Sequence, residues 1–148
     1  MEKIFDKTLE EISVLAEERP SDLLLRVCKL LKENIYHYDW VGFYKLENGE
    51  LILGPYVGKP TEHTRIPVGK GICGQVAEKK ETIVVQDVSQ EDNYISCSID
   101  VQSEIVVPVI KNGEFVAELD IDSHSPAPFK PIDRKFLELV CTLIADQF

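Results

Sequence analysis

Two features of this 148-residue chain have the types and spacing to do chemistry: four cysteines, at 28, 73, 97 and 141, and a segment with carboxylates at every second residue. Cys73 lies in Gly69-Lys70-Gly71-Ile72-Cys73-Gly74, followed by Gln75-Val76-Ala77-Glu78. The apolar residues Ile72, Val76 and Ala77 predict a short helix with Cys73 in its first turn, where free backbone N–H groups favour a thiolate. Cys97 lies in a polar loop, Asp92-Asn93-Tyr94-Ile95-Ser96-Cys97-Ser98, shortly before Glu104. Cys28 and Cys141 sit inside apolar helical stripes and read as small core hydrophobes.

The carboxylates belong to a predicted hairpin, Ser103 to Ile110, then Asn112-Gly113, then Glu114 to Ser123. In the second strand Phe115, Ala117, Leu119 and Ile121 form one face; Glu114, Val116, Glu118, Asp120 and Asp122 form the other. A two-residue turn pairs Lys111 with Glu114 and sets an apolar face against a polar one. A three-residue loop, Lys111-Asn112-Gly113, pairs Ile110 with Glu114 and matches apolar with apolar, which core matching favours. Gly113 then takes the left-handed position of a bulged turn, and Glu104 stands opposite Asp120. Glu104, Asp120 and Asp122 share a patch, where like charges raise at least one pKa and leave a protonated carboxyl able to act as a general acid. A solvated sheet face and a hard-cation site fit the same pattern.

Other chemistries are less well supported. The glycines around Cys73 match G-x-G-x-x-G, yet Ile66-Pro67 is a poor strand end and no βαβ unit follows. There is no Cys-x-x-Cys, so zinc would need scattered ligands such as Cys73, Cys97 and His63; no metal is expected. A Cys/His hydrolase would draw its base from His37, His63 or His124, and no local signature selects one.

These groups need a scaffold. Helices are predicted from Glu2 to Glu18, from Pro20-Ser21-Asp22 to about Tyr38, and from Pro131-Ile132 to the end. Strands are predicted from Trp40 to Leu46, Glu50 to Leu53 and Thr82 to Val85, besides the carboxylate hairpin. Helices flanking antiparallel strands give an α+β layer fold, read as one domain over 1–148. With 44% hydrophobic and 28% charged residues the chain reads as globular. Lys+Arg 16 against Asp+Glu 26 gives a net charge of −10, which argues against nucleic acid and an anionic membrane surface as partners. The chain shows neither an apolar leader nor a membrane-length run, so a cytoplasmic location with reduced thiols is expected.

Six colinear segments carry a resemblance: Trp40-Val41-Gly42-Phe43-Tyr44, Leu53-Gly54-Pro55-Tyr56, Arg65 through Gly74, Ile95-Ser96-Cys97, Ser103 through Pro108, and Leu119-Asp120-Ile121-Asp122-Ser123. Together they resemble the free methionine-(R)-sulfoxide reductase family, built on the GAF-domain fold. The resemblance implies a GAF-like antiparallel sheet with the N- and C-terminal helices packed on one face. It implies that Cys97 attacks the sulfoxide sulfur and that Cys73 resolves the resulting sulfenic acid as a Cys73–Cys97 disulfide. Glu104, Asp120 and Asp122 match the acids that hold the sulfoxide oxygen, and Trp40 and Tyr44 match pocket aromatics. It further implies free methionine-(R)-sulfoxide as substrate, an external dithiol such as thioredoxin in place of a bound cofactor, and a possible homodimer. A non-catalytic GAF sensor binding a small ligand is the competing expectation.

The chain departs from the family pattern in two places. His63 stands where a third cysteine is common, so Cys73 would have to resolve Cys97 directly. Ala117-Glu118 stands where a glycine followed by an apolar residue is common.

Overall fold

Arg19 adopts a left-handed backbone (φ 52°) and its N–H closes onto the Leu15 carbonyl, which ends the first helix, α1 (Lys3–Glu18). The computed structural model describes residues 2–92, 94 and 100–148. Helix α2 (Leu23–Asn34) stops earlier than its apolar stripe suggests, because Ile35 is already extended. Tyr38, which extends that stripe, is buried by a tertiary contact instead: its hydroxyl donates to Asp133 Oδ1 at 2.8 Å.

Two hairpins follow, joined to short strands at their margins: β1 (Trp40–Glu47), β2 (Glu50–Val57), β3 (Arg65–Pro67), helix α3 (Gly71–Lys79), β4 (Ile83–Val85), β5 (Ser103–Lys111) and β6 (Glu114–Ser123). Helix α4 (Pro131–Ile144) closes the chain. Pro131 begins it, and Asp133 accepts the Lys130 N–H at 2.8 Å across its first turn. The strands form one antiparallel sheet in the order β3-β2-β1-β6-β5-β4. Two elements go beyond the sequence reading. β2 continues past Leu53 through Pro55, which cannot donate to a ladder; the β1–β2 register shifts between Gly42 and Tyr44 to accommodate it. β3 has three residues and ends on Pro67, too short to show alternation.

The register of the carboxylate hairpin corrects the sequence expectation. The turn has two residues, with Asn112 at φ 52° and Gly113 at φ 80°, the double left-handed geometry of the tightest hairpins, and Lys111 pairs with Glu114. The first hairpin turns the same way at Asn48 (φ 50°) and Gly49 (φ 79°). Face matching is restored one step later by a bulge: Ile110 pairs with Phe115, Val109 with Ala117, and Val116 is the extra residue. Glu104 therefore faces Asp122, and Asp120 faces Val106. Phe115 also changes side, packing with Cys73 and Val106 while Ala117, Leu119 and Ile121 pack under the long helices.

The sheet separates two apolar clusters. On one face Val41, Phe43, Ile105, Val107, Val109, Leu119 and Ile121 pack against α1, α2 and α4, with Cys28 and Cys141 among them. Burial pushes the Cys28 thiol up to about 12 and raises Cys141 as well, so both are inert core groups, as expected. The other face carries Trp40, Tyr44, Val106 and Phe115 beneath α3.

Gly42 is fixed by close approach. A Cβ there would lie 2.5 Å from Trp40 Cη2 and 2.8 Å from Tyr56 Cβ. Gly42→Ala is expected to lower stability by about 1–3 kcal/mol through overpacking. A drop in melting temperature, with a shifted emission from the single tryptophan, checks this.

Candidate functional site

Alternation on β6 turns Glu118, Asp120 and Asp122 to the α3 face, and all three are buried. Their neighbours on β1 are Tyr44, Gly42 and Trp40, and on β5 Pro108, Val106 and Glu104. The missing side chain of Gly42 leaves the Trp40 ring room to lie over the strand. That ring stacks on Tyr56 (centroids 5.4 Å, planes 20° apart) and its N–H donates to the Lys59 carbonyl at 3.0 Å. The Tyr44 hydroxyl donates to the His63 carbonyl at 2.8 Å. The two aromatics thus tie the segment between β2 and β3 to the sheet.

Helix α3 delivers Cys73 from above. Gly69 N–H bonds the Gly74 carbonyl at 2.8 Å and Gly74 N–H bonds the Lys70 carbonyl at 2.9 Å, so the chain doubles back on itself at the helix start. A Cβ at Gly74 would lie 2.7 Å from the Pro67 carbonyl oxygen. These glycines serve close backbone packing, which accounts for the G-x-G-x-x-G spacing without a dinucleotide.

Cys73 does occupy the first turn of α3, but its thiolate is not favoured. Burial, followed by the charges of Asp120, Glu118 and Glu104, holds the thiol well above its usual range and outweighs the helix N-terminus. Its sulfur and one oxygen each of Glu104 and Asp120 lie within 4.8 Å of one another. They line a small cavity with Tyr44, His63, Ile66, Lys70, Gly71 and Ile72. Its free volume of about 10 Å³ is room for roughly one water.

Burial first, then the charges of Asp120 and Asp122, raises Glu104 well above the carboxylate range. Burial also raises Asp120, against hydrogen bonds from Glu104 and Cys73. Glu118 is raised by burial and by Asp120, partly offset by the Cys73 thiol. None of Glu104, Glu118 and Asp120 forms an ion pair with a described residue, so these buried carboxyls keep their solvation cost down by holding protons.

Of the residues singled out from sequence, the structure brings Cys73, Glu104, Asp120 and Tyr44 to one cavity. Asp122 and Trp40 pair with each other beside it. Cys97 lies outside the described residues. Glu118 was not singled out, although its place two residues before Asp120 put it on the acidic face.

These raised carboxyls bind protons more tightly folded than unfolded. Above the ordinary carboxyl range the folded chain therefore holds extra protons, and stability falls as pH rises. Asp133 runs the other way: hydrogen bonds from His37, the Lys130 N–H and Tyr38 outweigh its burial and hold it below its usual value. Its contribution is lost only in stronger acid. The melting temperature is expected to fall as pH rises above the ordinary carboxyl range. Glu104→Gln should flatten that slope; an unchanged slope would assign the protons elsewhere.

The GAF domain profile matches residues 19–148, and the curled antiparallel sheet with its four helices is the GAF fold. Free methionine-R-sulfoxide reductase of Saccharomyces cerevisiae is 40% identical over 128 residues, covering 84% of this chain and 69% of that protein. The structure of free methionine-R-sulfoxide reductase from Neisseria meningitidis in complex with its substrate aligns with a TM-score of 0.91 at 35% identity, covering 100% of this chain and 91% of that one. A type II free methionine-R-sulfoxide reductase from Thermoplasma acidophilum aligns at 0.83 and 40% identity, covering 89% and 93%. This chain belongs to the free methionine-R-sulfoxide reductase family of GAF-domain proteins.

Proposed function

We propose that this protein reduces free methionine-(R)-sulfoxide to methionine, with Cys97 as nucleophile and Cys73 as resolving thiol. The observation that carries the reading is the buried Glu104–Asp120 pair, which holds protons at the floor of a cavity also lined by a thiol. A sulfoxide oxygen leaves sulfur only if it is protonated. The pair supplies that proton as the Cys97 thiolate attacks the sulfur. The Cys97–sulfur bond forms as the S–O bond breaks and the oxygen leaves as water; water then attacks Cys97 Sγ, the S–S bond breaks, and Cys97 sulfenic acid and methionine result.

Condensation with the Cys73 thiol then releases water and forms a disulfide. An external dithiol of the thioredoxin kind restores both thiols by exchange, with no bound cofactor. Protonation of the cluster keeps it from suppressing the Cys97 thiolate. No helix among the described residues is long and apolar enough to cross a membrane. A cytoplasmic, one-domain enzyme that self-associates as a homodimer completes the reading.

The test offers the separate R and S epimers of free methionine sulfoxide with a dithiol and follows methionine. Turnover of the R epimer alone is expected; binding without turnover would instead indicate a sensor. Cys73→Ser should still release one equivalent of methionine but lose recycling by thioredoxin. Normal recycling would remove Cys73 from the resolving role.

A further inference from the structure

Helix α1 buries Phe5, Thr8 and Ile12 against the rest of the domain, and its outer faces take no part in the site described above. One of those faces is poorly suited to meeting only water. Ile4, Lys7, Glu11 and Val14 recur at steps of three, four and three residues, so they form one stripe along the helix. Ile4 is 38% exposed and Val14 48%, which leaves a large apolar side chain open at each end of the stripe. The stripe also borders a groove of about 520 Å³ between α1 and α2, lined by Lys7, Glu10, Glu11, Val14, Leu15 and Leu30.

The order of these residues points to the occupant, because the stripe read backwards is its own complement. When a second α1 lies antiparallel across a two-fold axis level with Leu9, Ile4 meets Val14 and Lys7 meets Glu11, and each contact occurs twice. A parallel pair would set Lys7 against Lys7 and Glu11 against Glu11. An antiparallel pair displaced by one layer would set Glu11 against Val14. The three-four spacing is that of helices packed side by side at a shallow angle, where a central polar layer fixes the register and apolar layers outside it supply the burial. Lys7 and Glu11 touch within one chain at 3.8 Å, with their side chains 69% and 37% exposed, so both keep room for a partner. A chain of net charge −10 repels its copy in most orientations, and the doubled lysine–glutamate contact favours this one.

We propose that this stripe is the two-fold interface of the homodimer, with α1 antiparallel to α1 of a second copy and Leu30 of α2 closing the groove beside it. This deepens the homodimer of the reading above, on which it rests, and is independent of the chemistry at the cavity.

The experiment measures mass by sedimentation equilibrium on the full chain, on Lys7→Glu and on Glu11→Lys. The parent should be a dimer at micromolar concentration. The first variant leaves only carboxylates in the central layer and the second only ammonium groups, so each should raise the dimer Kd by about 10²-fold. The like charge that each places four residues away in its own helix costs too little to unfold it. An equimolar mixture of the two variants should recover a dimer, because each offers the charge that the other lacks. The double variant Lys7→Glu/Glu11→Lys should dimerise as the parent does. A packing defect would not be repaired by mixing.

A monomeric parent overturns the interface together with the homodimer. A parent dimer that neither variant weakens places the contact elsewhere and overturns the interface alone, as does a mixture that stays monomeric. Turnover of the R epimer is read on the same samples. Its absence from the parent fails the enzymatic reading, and the masses decide the interface in either case.

Discussion

Cys97→Ser is expected to abolish turnover, lowering kcat/KM by at least about 10³-fold, since loss of a nucleophile removes the covalent route altogether. A serine hydroxyl is scarcely ionised at neutral pH and is a poor nucleophile toward sulfur. The carboxyl cluster and the aromatic residues remain in the variant, so the R epimer should still bind, with calorimetry giving an affinity close to that of the parent. Loss of chemistry with retained binding separates a nucleophile from a residue that only shapes the pocket. Turnover surviving in Cys97→Ser would move the nucleophile to Cys73, whose thiol lies beside Glu104 and Asp120.

The second large effect lies in the proton donor. Asp120→Asn and Glu104→Gln should each lower kcat/KM by about 10²–10³-fold, the range that a positioned acid contributes. Each neutral isostere removes a group that protonates the sulfoxide oxygen. The same variants should gain stability near pH 8, because an amide needs no proton to stay buried where the carboxyl does. Activity falling while melting temperature rises would mark these acids as kept for chemistry at the expense of the fold. A parallel loss of both would make them structural.

Much of this was legible in the residues. The apolar stripes gave α1, α2 and α4, and the two Asn-Gly turns announced the hairpins because only a short list of residues tolerates paired left-handed backbones. The acidic face of β6 followed from strict alternation. What escaped has identifiable causes. The bulge at Val116 leaves no trace in a strand where Phe115, Val116 and Ala117 are all apolar, so the pairing of Glu104 with Asp122 could not be counted out from the turn. The end of α2 was hidden because Tyr38 is buried by Asp133, far along the chain. The protonated state of Cys73 was misjudged because a helix N-terminus is a local feature, while the carboxylates that overrule it arrive from two strands.

The central claim is that Cys97 and Cys73 together carry the two electrons that reduce the sulfoxide. One equivalent of free R epimer, added to the fully reduced chain without any dithiol, tests it in a single measurement of methionine formed against thiols lost. The account predicts one methionine per chain and the loss of two of the four thiols, joined as Cys73–Cys97. Methionine formed with all thiols intact, or a disulfide that includes Cys28 or Cys141, would contradict it.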